Sequence, residues 1–570
     1  MFLNWAFVLQ DFDKNLNQPA LDQGSEPSTA ARPALWAWLT LAALWLGWFL
    51  AQILWWMRFR FPYGAQIGYE AAVFGRQLAA GEYAEVLSHL KISNYYPPLY
   101  EFTLGLFDAF FGFHLSNGLL LNSVFVALTC VAVFLLVRRW ADDTSALLAA
   151  VLILGHDMAF SSARIPMREV AVMAVVAWTL LFLQNRKLLW HPALSLSIAV
   201  LLAAGLMYKW TFAIYAALPV GATFLWLIWR EERRRWRPVV LAAFATLVIL
   251  ALCIPWYVFV LDLKYLAVSS ANDPHPDPLL WQIPFYPHAL GIRYLGDTAA
   301  GWALLALAAL GALINLRQRF IPALSLFGGW LILFLIPHNE ERYVLGLLPA
   351  LAVLVALAFH ALPRRLWMRL SILVALVLVM AGSFHQSSFA RPRFSYDSGA
   401  IRTLAATNCQ RDGYRLAAKI IRQAAELGEK DAPAQLATHP LNRHFITFNQ
   451  DILPLMIWQF GLGDKVAYVG YDLTGYTAFD SRLDEIDVLV VGDIVWKAST
   501  EFLNQQMAAW KDFRKPDWEV KNRTPGDPQR RGIIERDFEK AYTHNDPCIG
   551  SIHVYVRRTA QTDVPVLPTE

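Results

Sequence analysis

Eleven apolar runs, divided by short polar connectors, dominate the chain from residue 34 to residue 385. They fall at 34–57, 118–137, 144–162, 169–185, 193–208, 211–229, 238–260, 298–315, 320–337, 343–361 and 368–385. A helix needs about 20 predominantly apolar residues to cross the hydrocarbon layer of a bilayer. Within that layer every backbone N–H and C=O must be satisfied internally, so runs of this kind leave a helical bundle as the available fold. Composition agrees, because only 16% of the 570 residues are charged while 56% are hydrophobic. A soluble chain of this length carries more charge. The sequence therefore reads as a polytopic α-helical membrane protein with about 11 transmembrane helices.

The connectors give the expected orientation. Arg138–Arg139, Arg186–Lys187, the run REERRRWR at Arg230–Arg237, Arg317–Arg319 and Arg364–Arg369 all fall on one side if 34–57 runs from inside to outside. Cytoplasmic loops are enriched in Lys and Arg, so this side is expected to face the cytoplasm. Residues 1–33 then form a cytoplasmic tail, with no cleaved signal peptide expected ahead of the first span. The whole reads as a multi-pass protein of the cell (inner or plasma) membrane.

The outward loop at 58–117 is unusual. It begins FPYGAQIGYEAAVFGRQLAAGEY, passes through SNYYPPLYEF and ends in LGLFDAFFGF. Ala71–Leu78 reads as an amphipathic helix ended by Gly81, and the prolines at 97 and 98 push the residue before each out of helical geometry. Leu99–Phe113 carries Glu101 and Asp108 and is too short to span. Counting it as a span would also turn every later basic connector outward. The loop is expected to hold two helices at the membrane surface, presenting acidic and tyrosine side chains.

The other outward connectors set charges against span ends: ARIPMRE at Ala163–Glu169, YKW at Tyr208–Trp210 and HNEERY at His338–Tyr343. Such charges are costly unless used. Each alone reads as an interface anchor; Arg164, Arg168, Glu169, Lys209, Glu341 and Arg342 together read as a site. The group NDPHPDP, with Asp273, His275 and Asp277, reads as a solvated Pro-rich turn in preference to a set of metal ligands; no cofactor is expected, and a divalent metal is left open.

Beyond residue 385 charge content becomes ordinary. Tyr414–Leu427 and Glu501–Trp510 read as helices, and His444–Phe448, Val466–Val469, Ile486–Val491 and Ile552–Val556 as strands. Residues 386–570 are thus expected to form an extracytoplasmic, soluble α/β domain. Its two cysteines, Cys409 and Cys548, are expected to be disulfide-bonded in an oxidising compartment. There is no internal repeat, phosphate-cradling Gly-rich loop, serine-triad motif or basic nucleic-acid patch.

An N-terminal span, an acidic-aromatic outer loop, PPLY at Pro97–Tyr100, R-x-x-x-R-E at Arg164–Glu169, YKW, IPWYVF at Ile254–Phe259 and HNEERYVLGLLPALAVL occur in that order. Residues 34–385 so arranged resemble the GT-C glycosyltransferases that use polyprenyl-phosphate sugars, nearest the protein O-mannosyltransferase and lipid A aminoarabinose transferase group. The resemblance implies inverting transfer of a sugar from a polyprenyl-phosphate donor to a protein, lipid or glycan acceptor on the outer face. Their convergence on the outer face beside the aromatic loop points to Glu70 and Glu169 as site carboxylates, with Glu70 the favoured base. Arg168, Lys209 and Arg342, with Arg164 and His338 beside them, are expected to bind donor phosphate. Tyr69, Tyr95, Tyr96 and Glu341 would line the cavity.

Two positions depart from the resemblance. Where relatives carry an aspartate this chain has GAQIGYE, so Glu70 is the nearest carboxylate, and Tyr96 stands where the aminoarabinose group has lysine. Either Glu70 substitutes as base, or the acceptor differs, or catalysis is lost. A non-catalytic glycan-binding or assembly protein and a transporter of lipid-linked glycans are the alternatives. Clean spans and the absence of repeated halves count against the transporter.

Overall fold

Each of the eleven apolar runs is helical in the computed structural model. It describes residues 33–59, 65–85, 96–185, 187–230, 236–259, 261, 285–287, 289–290, 298–314, 316–335, 341–361, 366–385, 407–429, 432–438, 452–469, 483–492, 528–546 and 550–558. The helices are α1 (Leu35–Phe59), α2 (Ala65–Ala80), α3 (Leu99–Phe111), α4 (Asn117–Arg138), α5 (Asp143–Gly155), α6 (Asp157–Ala163), α7 (Arg168–Leu183), α8 (Pro192–Tyr208), α9 (Phe212–Arg230) and α10 (Trp236–Phe259). They continue as α11 (Thr298–Leu313), α12 (Leu316–Ala323), α13 (Gly329–Leu335), α14 (Val344–His360) and α15 (Leu366–His385).

By length and apolar composition α1, α4, α9 and α10 can each cross a membrane. The pair α5–α6, bent by 58° at His156, makes a fifth if counted as one span. Helices α8 and α14 and the apolar parts of α11 and α15 are shorter. Between α12 and α13 lies a turn of π-helix, Leu324–Gly328, just after Pro322. Proline removes a helical hydrogen bond, and the widened turn accommodates the break. Eleven crossings remain the number proposed from the sequence.

Helices α7 and α14 form the centre. Almost every residue of α7, and of α14 from Val344 to Phe359, is buried. A helix apolar all round belongs inside a bundle. The outer helices show the opposite pattern: Leu35, Leu39, Leu54, Leu225, Leu247, Val258 and Leu378 are all exposed. So extended an apolar surface is stable only against lipid. One end of the bundle is tied by polar groups: Asp142 accepts from Arg369 and the backbone of Ser145 and meets His360 at 3.2 Å, while Asp143 pairs with Arg138 at 2.5 Å.

The connector at 58–117 supplies α2 and α3, as its sequence leads one to expect, with Gly81 ending α2 at a positive φ of 77°. Their backbones touch. A Cβ on Gly75 would lie 2.6 Å from the Gly105 carbonyl oxygen, so only glycine permits the crossing. Ala71 and Tyr100 of the same pair belong to the bundle's core.

The C-terminal segment adds α16 (Thr407–Leu427), β1 (Ala434–Thr438), α17 (Ile452–Gln459), β2 (Val466–Tyr468), β3 (Val488–Gly492), α18 (Pro528–Asp537), β4 (Phe538–Asp546) and β5 (Gly550–Arg557). The strands form one mixed sheet in the order β2-β1-β3-β5-β4, with β1 parallel to β2 and β3, and β5 antiparallel to β3 and β4. This is the expected α/β arrangement, with β1 and β4 in addition. The expected elements at 444–448 and 501–510 lie outside the described residues. One face of the sheet packs with α16 and α17 on a second core that also takes in Ala72 of α2 and Leu115, with Trp56 and Phe113 against it. Arg76 stacks over the Trp458 ring at 4.9 Å, and Phe113 meets the same ring edge-on.

The side chain of Cys409 and all of Cys548 lie outside the described residues, whereas Cys130 and Cys253 are free and buried in the bundle. Thiol labelling after denaturation without reductant is expected to find about two reactive thiols per chain, as a disulfide between Cys409 and Cys548 requires. Four would rule the bond out.

Candidate active site

At the end of the bundle opposite the Asp142 cluster, several helix ends converge. The N-terminus of α7 brings Arg168 and Glu169, and Lys209 follows the last residue of α8 in an extended conformation. A short 3-10 turn, Glu341–Tyr343, carries Arg342 into α14. Tyr96 precedes the two prolines that start α3, and Glu70 lies on α2. Glu169 suits a helix N-terminus and Lys209 a C-terminus, since each charge opposes the local helix dipole.

Two ion-paired groups result. Glu169 Oε1 accepts from Lys209 Nζ at 2.5 Å and lies 3.0 Å from Arg342 Nε. Arg168 donates to Glu101 Oε1, and the same nitrogen lies 3.8 Å from Glu70 Oε2. The Tyr96 ring links the groups, with the Arg168 guanidinium 4.4 Å and Lys209 Nζ 5.1 Å from its centroid. Tyr343 gives Lys209 a second ring at 5.0 Å. Cations stack favourably on aromatic faces, more so where water is excluded. Lys209 is 1% exposed, and Glu169 and the two rings lie against its charge.

The surrounding frame is rigid. Tyr100 Oη donates to Asn122 and accepts from the backbone of Met167, which holds the start of α7 against α3. Burial pushes the Tyr100 hydroxyl far above its ordinary pKa, so it stays protonated. Asn122 also donates to the Ile165 carbonyl. Tyr215 Oη donates to the Tyr343 carbonyl at 2.9 Å, and its ring lies where any Cβ on Gly346 would fall. At the far end of α3, burial raises the Asp108 carboxyl to about 7 despite a hydrogen bond from Asn117.

The structure thus brings together Glu70, Glu169, Arg168, Lys209, Arg342 and Tyr96. Arg164 goes elsewhere: its Nε donates to Gln52, and its guanidinium stacks on Trp55, Phe160 and Phe384 at 4.4–5.4 Å, between α1, α6 and α15. Tyr69 and Glu341 lie on described elements, but their side chains are outside the description. Tyr95, His338, Asp273, His275 and Asp277 lie outside the described residues altogether. The sequence reading noticed Glu101 only as a charge in an apolar run, and left Tyr343, Tyr100 and Asn122 unassigned.

Comparison with known proteins gives this geometry a setting. The family model described as dolichyl-phosphate-mannose-protein mannosyltransferase matches residues 96–259, which hold Tyr96, Glu101, Arg168, Glu169 and Lys209. The crystal structure of ArnT from Cupriavidus metallidurans in the apo state matches with a TM-score of 0.54 at 14% identity, over 91% of this chain and 97% of that one. The chain shares the fold of that ArnT structure.

The structure of the same ArnT bound to undecaprenyl phosphate matches this chain equally, with a TM-score of 0.54 at 13% identity, over 94% of this chain and all of the other. The curated protein GPI mannosyltransferase 4 of Eremothecium gossypii is 27% identical over 273 residues, or 46% of this chain. That match spans 52% of the relative, so the chain corresponds to about half of it.

Proposed function

We propose that the chain is an inverting membrane glycosyltransferase, moving a sugar from a polyprenyl-phosphate donor to an acceptor on the extracytoplasmic face. The observation that carries the reading is the convergence of three cations and three carboxylates at helix ends. Loss of a phosphate leaving group needs fixed positive charge held away from water. Activation of an acceptor needs a carboxylate within reach of its proton. That undecaprenyl phosphate is the molecule bound in the ArnT structure supports the choice of donor class.

The reaction is a single displacement. An acceptor oxygen or nitrogen forms a bond to the anomeric carbon as the bond from that carbon to the phosphate oxygen breaks. The acceptor proton passes to Glu70, and the electron pair leaves on polyprenyl phosphate. Attack opposite the departing oxygen inverts the anomeric centre. Glu70 suits the base because its side chain is 16% exposed, against 8% for Glu101 and 6% for Glu169. Glu169 is engaged by Lys209 and Arg342, and its proposed part is to hold those cations in place. Arg342, with 18% of its side chain exposed, is the most accessible of the three and the favoured phosphate contact. Arg164 is assigned to packing instead, and the Lys209 charge acts through the field it adds.

Purified protein incubated with radiolabelled polyprenyl-phosphate sugars should release or transfer sugar. Failure with every donor, alongside tight donor binding, would favour the glycan-binding alternative; movement of donor between leaflets would favour the transporter. Arg342→Ala is expected to raise donor KM by about tenfold or more, the scale of one charge-assisted contact. Arg234→Ala, in the basic run between α9 and α10, should leave KM unchanged. Equal effects from the two variants would remove Arg342 from the donor site.

A further inference from the structure

We infer that Leu455, in the C-terminal segment, is a positioning residue that seats α2 against the approach to α7, so that this segment takes part in transfer through α2. The inference rests on the transfer reading above, in which Glu70 of α2 takes the acceptor proton.

Helix α2 is shared between two cores. Ala71 is fully buried in the core of the bundle, and its neighbour Ala72 is fully buried in the second core, with α16, α17 and the sheet. Successive residues of a helix point about 100° apart, so one flank of α2 rests on each core. The flank toward the bundle is fixed where Gly75 crosses the backbone at Gly105. The other flank is fixed by α17.

Gly68 is the point where these supports meet. A Cβ there would lie 3.5 Å from Pro166 Cγ and 3.6 Å from Leu455 Cδ1, so the approach to α7 and α17 close on the same spot of α2. Pro166 also bears on the backbone of α4, since a Cβ on Gly118 would stand 2.8 Å from its Cγ. Leu455 is itself buried, between buried Leu453 and Met456. Glu70 follows Gly68 by two residues, and Arg168 follows Pro166 by two. The contact that Leu455 completes therefore lies beside the ion pair that joins Glu70 to Arg168 at 3.8 Å. Arg76 over the Trp458 ring adds a second tie between α2 and α17. Helix α17 carries no charged residue, so its effect on the site is one of placement. Placement is enough, because a misplacement of about 1 Å costs about a hundredfold in rate.

The test uses full-length protein purified in detergent. In Leu455→Ala, kcat for transfer from radiolabelled polyprenyl-phosphate sugar is expected to fall by about tenfold or more. Donor KM should hold, since Arg342 sits on the separate turn that leads into α14. Ile420→Ala is the control. Ile420 is fully buried in the same core but on α16, and its truncation should loosen the C-terminal segment and leave kcat as in the wild type. Leu455→Met, of similar volume, should keep wild-type kcat, and Leu455→Val serves if Leu455→Ala does not fold. Hydrogen exchange followed by mass spectrometry reads the seat without turnover: amides of Ala65–Ala80 should exchange faster in Leu455→Ala than in Ile420→Ala. Equal kcat in the two alanine variants, or exchange in α2 that Leu455→Ala leaves unchanged, would overturn the inference. A wild-type protein inactive with every lipid-phosphate sugar would instead defeat the transfer reading, while the exchange comparison still decides whether Leu455 seats α2.

Discussion

Glu70→Gln is expected to lower sugar transfer by about 10²–10⁴-fold, the contribution that a positioned general base makes to a proton-transfer step. Glutamine keeps the size and the carbonyl oxygen of the side chain but cannot take a proton. Binding of the lipid-phosphate donor should persist, since Glu70 contributes no positive charge to it. The loss should therefore appear in kcat and not in donor KM. Thermal stability should change little, because Glu70 is half-buried and stands 3.8 Å from its cation. Full transfer activity in this variant would take Glu70 out of the mechanism.

The largest effect on stability is expected at Glu169. This carboxylate takes both Lys209 and Arg342, and Lys209 is 1% exposed. Removing one member of a buried ion pair leaves the other charge desolvated and costs about 3–5 kcal/mol. Glu169→Gln should accordingly lower the unfolding midpoint in detergent far more than Arg342→Ala, whose side chain reaches water. The double change Glu169→Gln with Lys209→Met should recover much of the loss, because an apolar chain of similar length leaves no charge to bury. If the double variant is as unstable as the single one, the lysine charge is not the cause. Neither protein is expected to be active.

The parts of this molecule that were legible in the sequence are those set by the bilayer. Apolar runs of span length, arginine-rich connectors and charges at span ends follow from hydrophobic thickness and charge cost, so Arg168, Glu169, Lys209 and Arg342 stood out without a structure. Their pairing did not. Glu169 and Lys209 belong to separate outward connectors, and only the packing of α7 against α8 brings them within 2.5 Å. Glu101 was passed over for a different reason. Read along the chain, Leu99–Phe111 raises the question of whether it spans, and its carboxylates Glu101 and Asp108 bear on that question without suggesting a partner. Arg164 erred in the other direction: four residues before Arg168, it ends up among Trp55, Phe160 and Phe384. In the C-terminal sheet, Ile552–Val556 was recognisable by its alternation. The inner strand Ala434–Thr438 was not, since its residues AQLAT lack the β-branched and aromatic density of a strand. The polar FEKAYTHND lies at the sheet's edge, where charge is common and easily read as loop.

The core shared between α2 and the C-terminal segment has a consequence for how the chain is made. Ala72 and Leu115 are buried together with Ile420, Leu455 and Met456, and Leu455 reaches the backbone of α2 at Gly68. The two halves of this core leave the ribosome several hundred residues apart. At about 5–20 residues per second, the connector that holds α2 and α3 waits roughly tens of seconds for the partner that covers it. During that interval the bundle can assemble, but the apolar back of α2 has no protein to rest on. A chain stopped near residue 385 would keep that condition permanently, so the membrane part alone is a folding intermediate and not a smaller version of the protein.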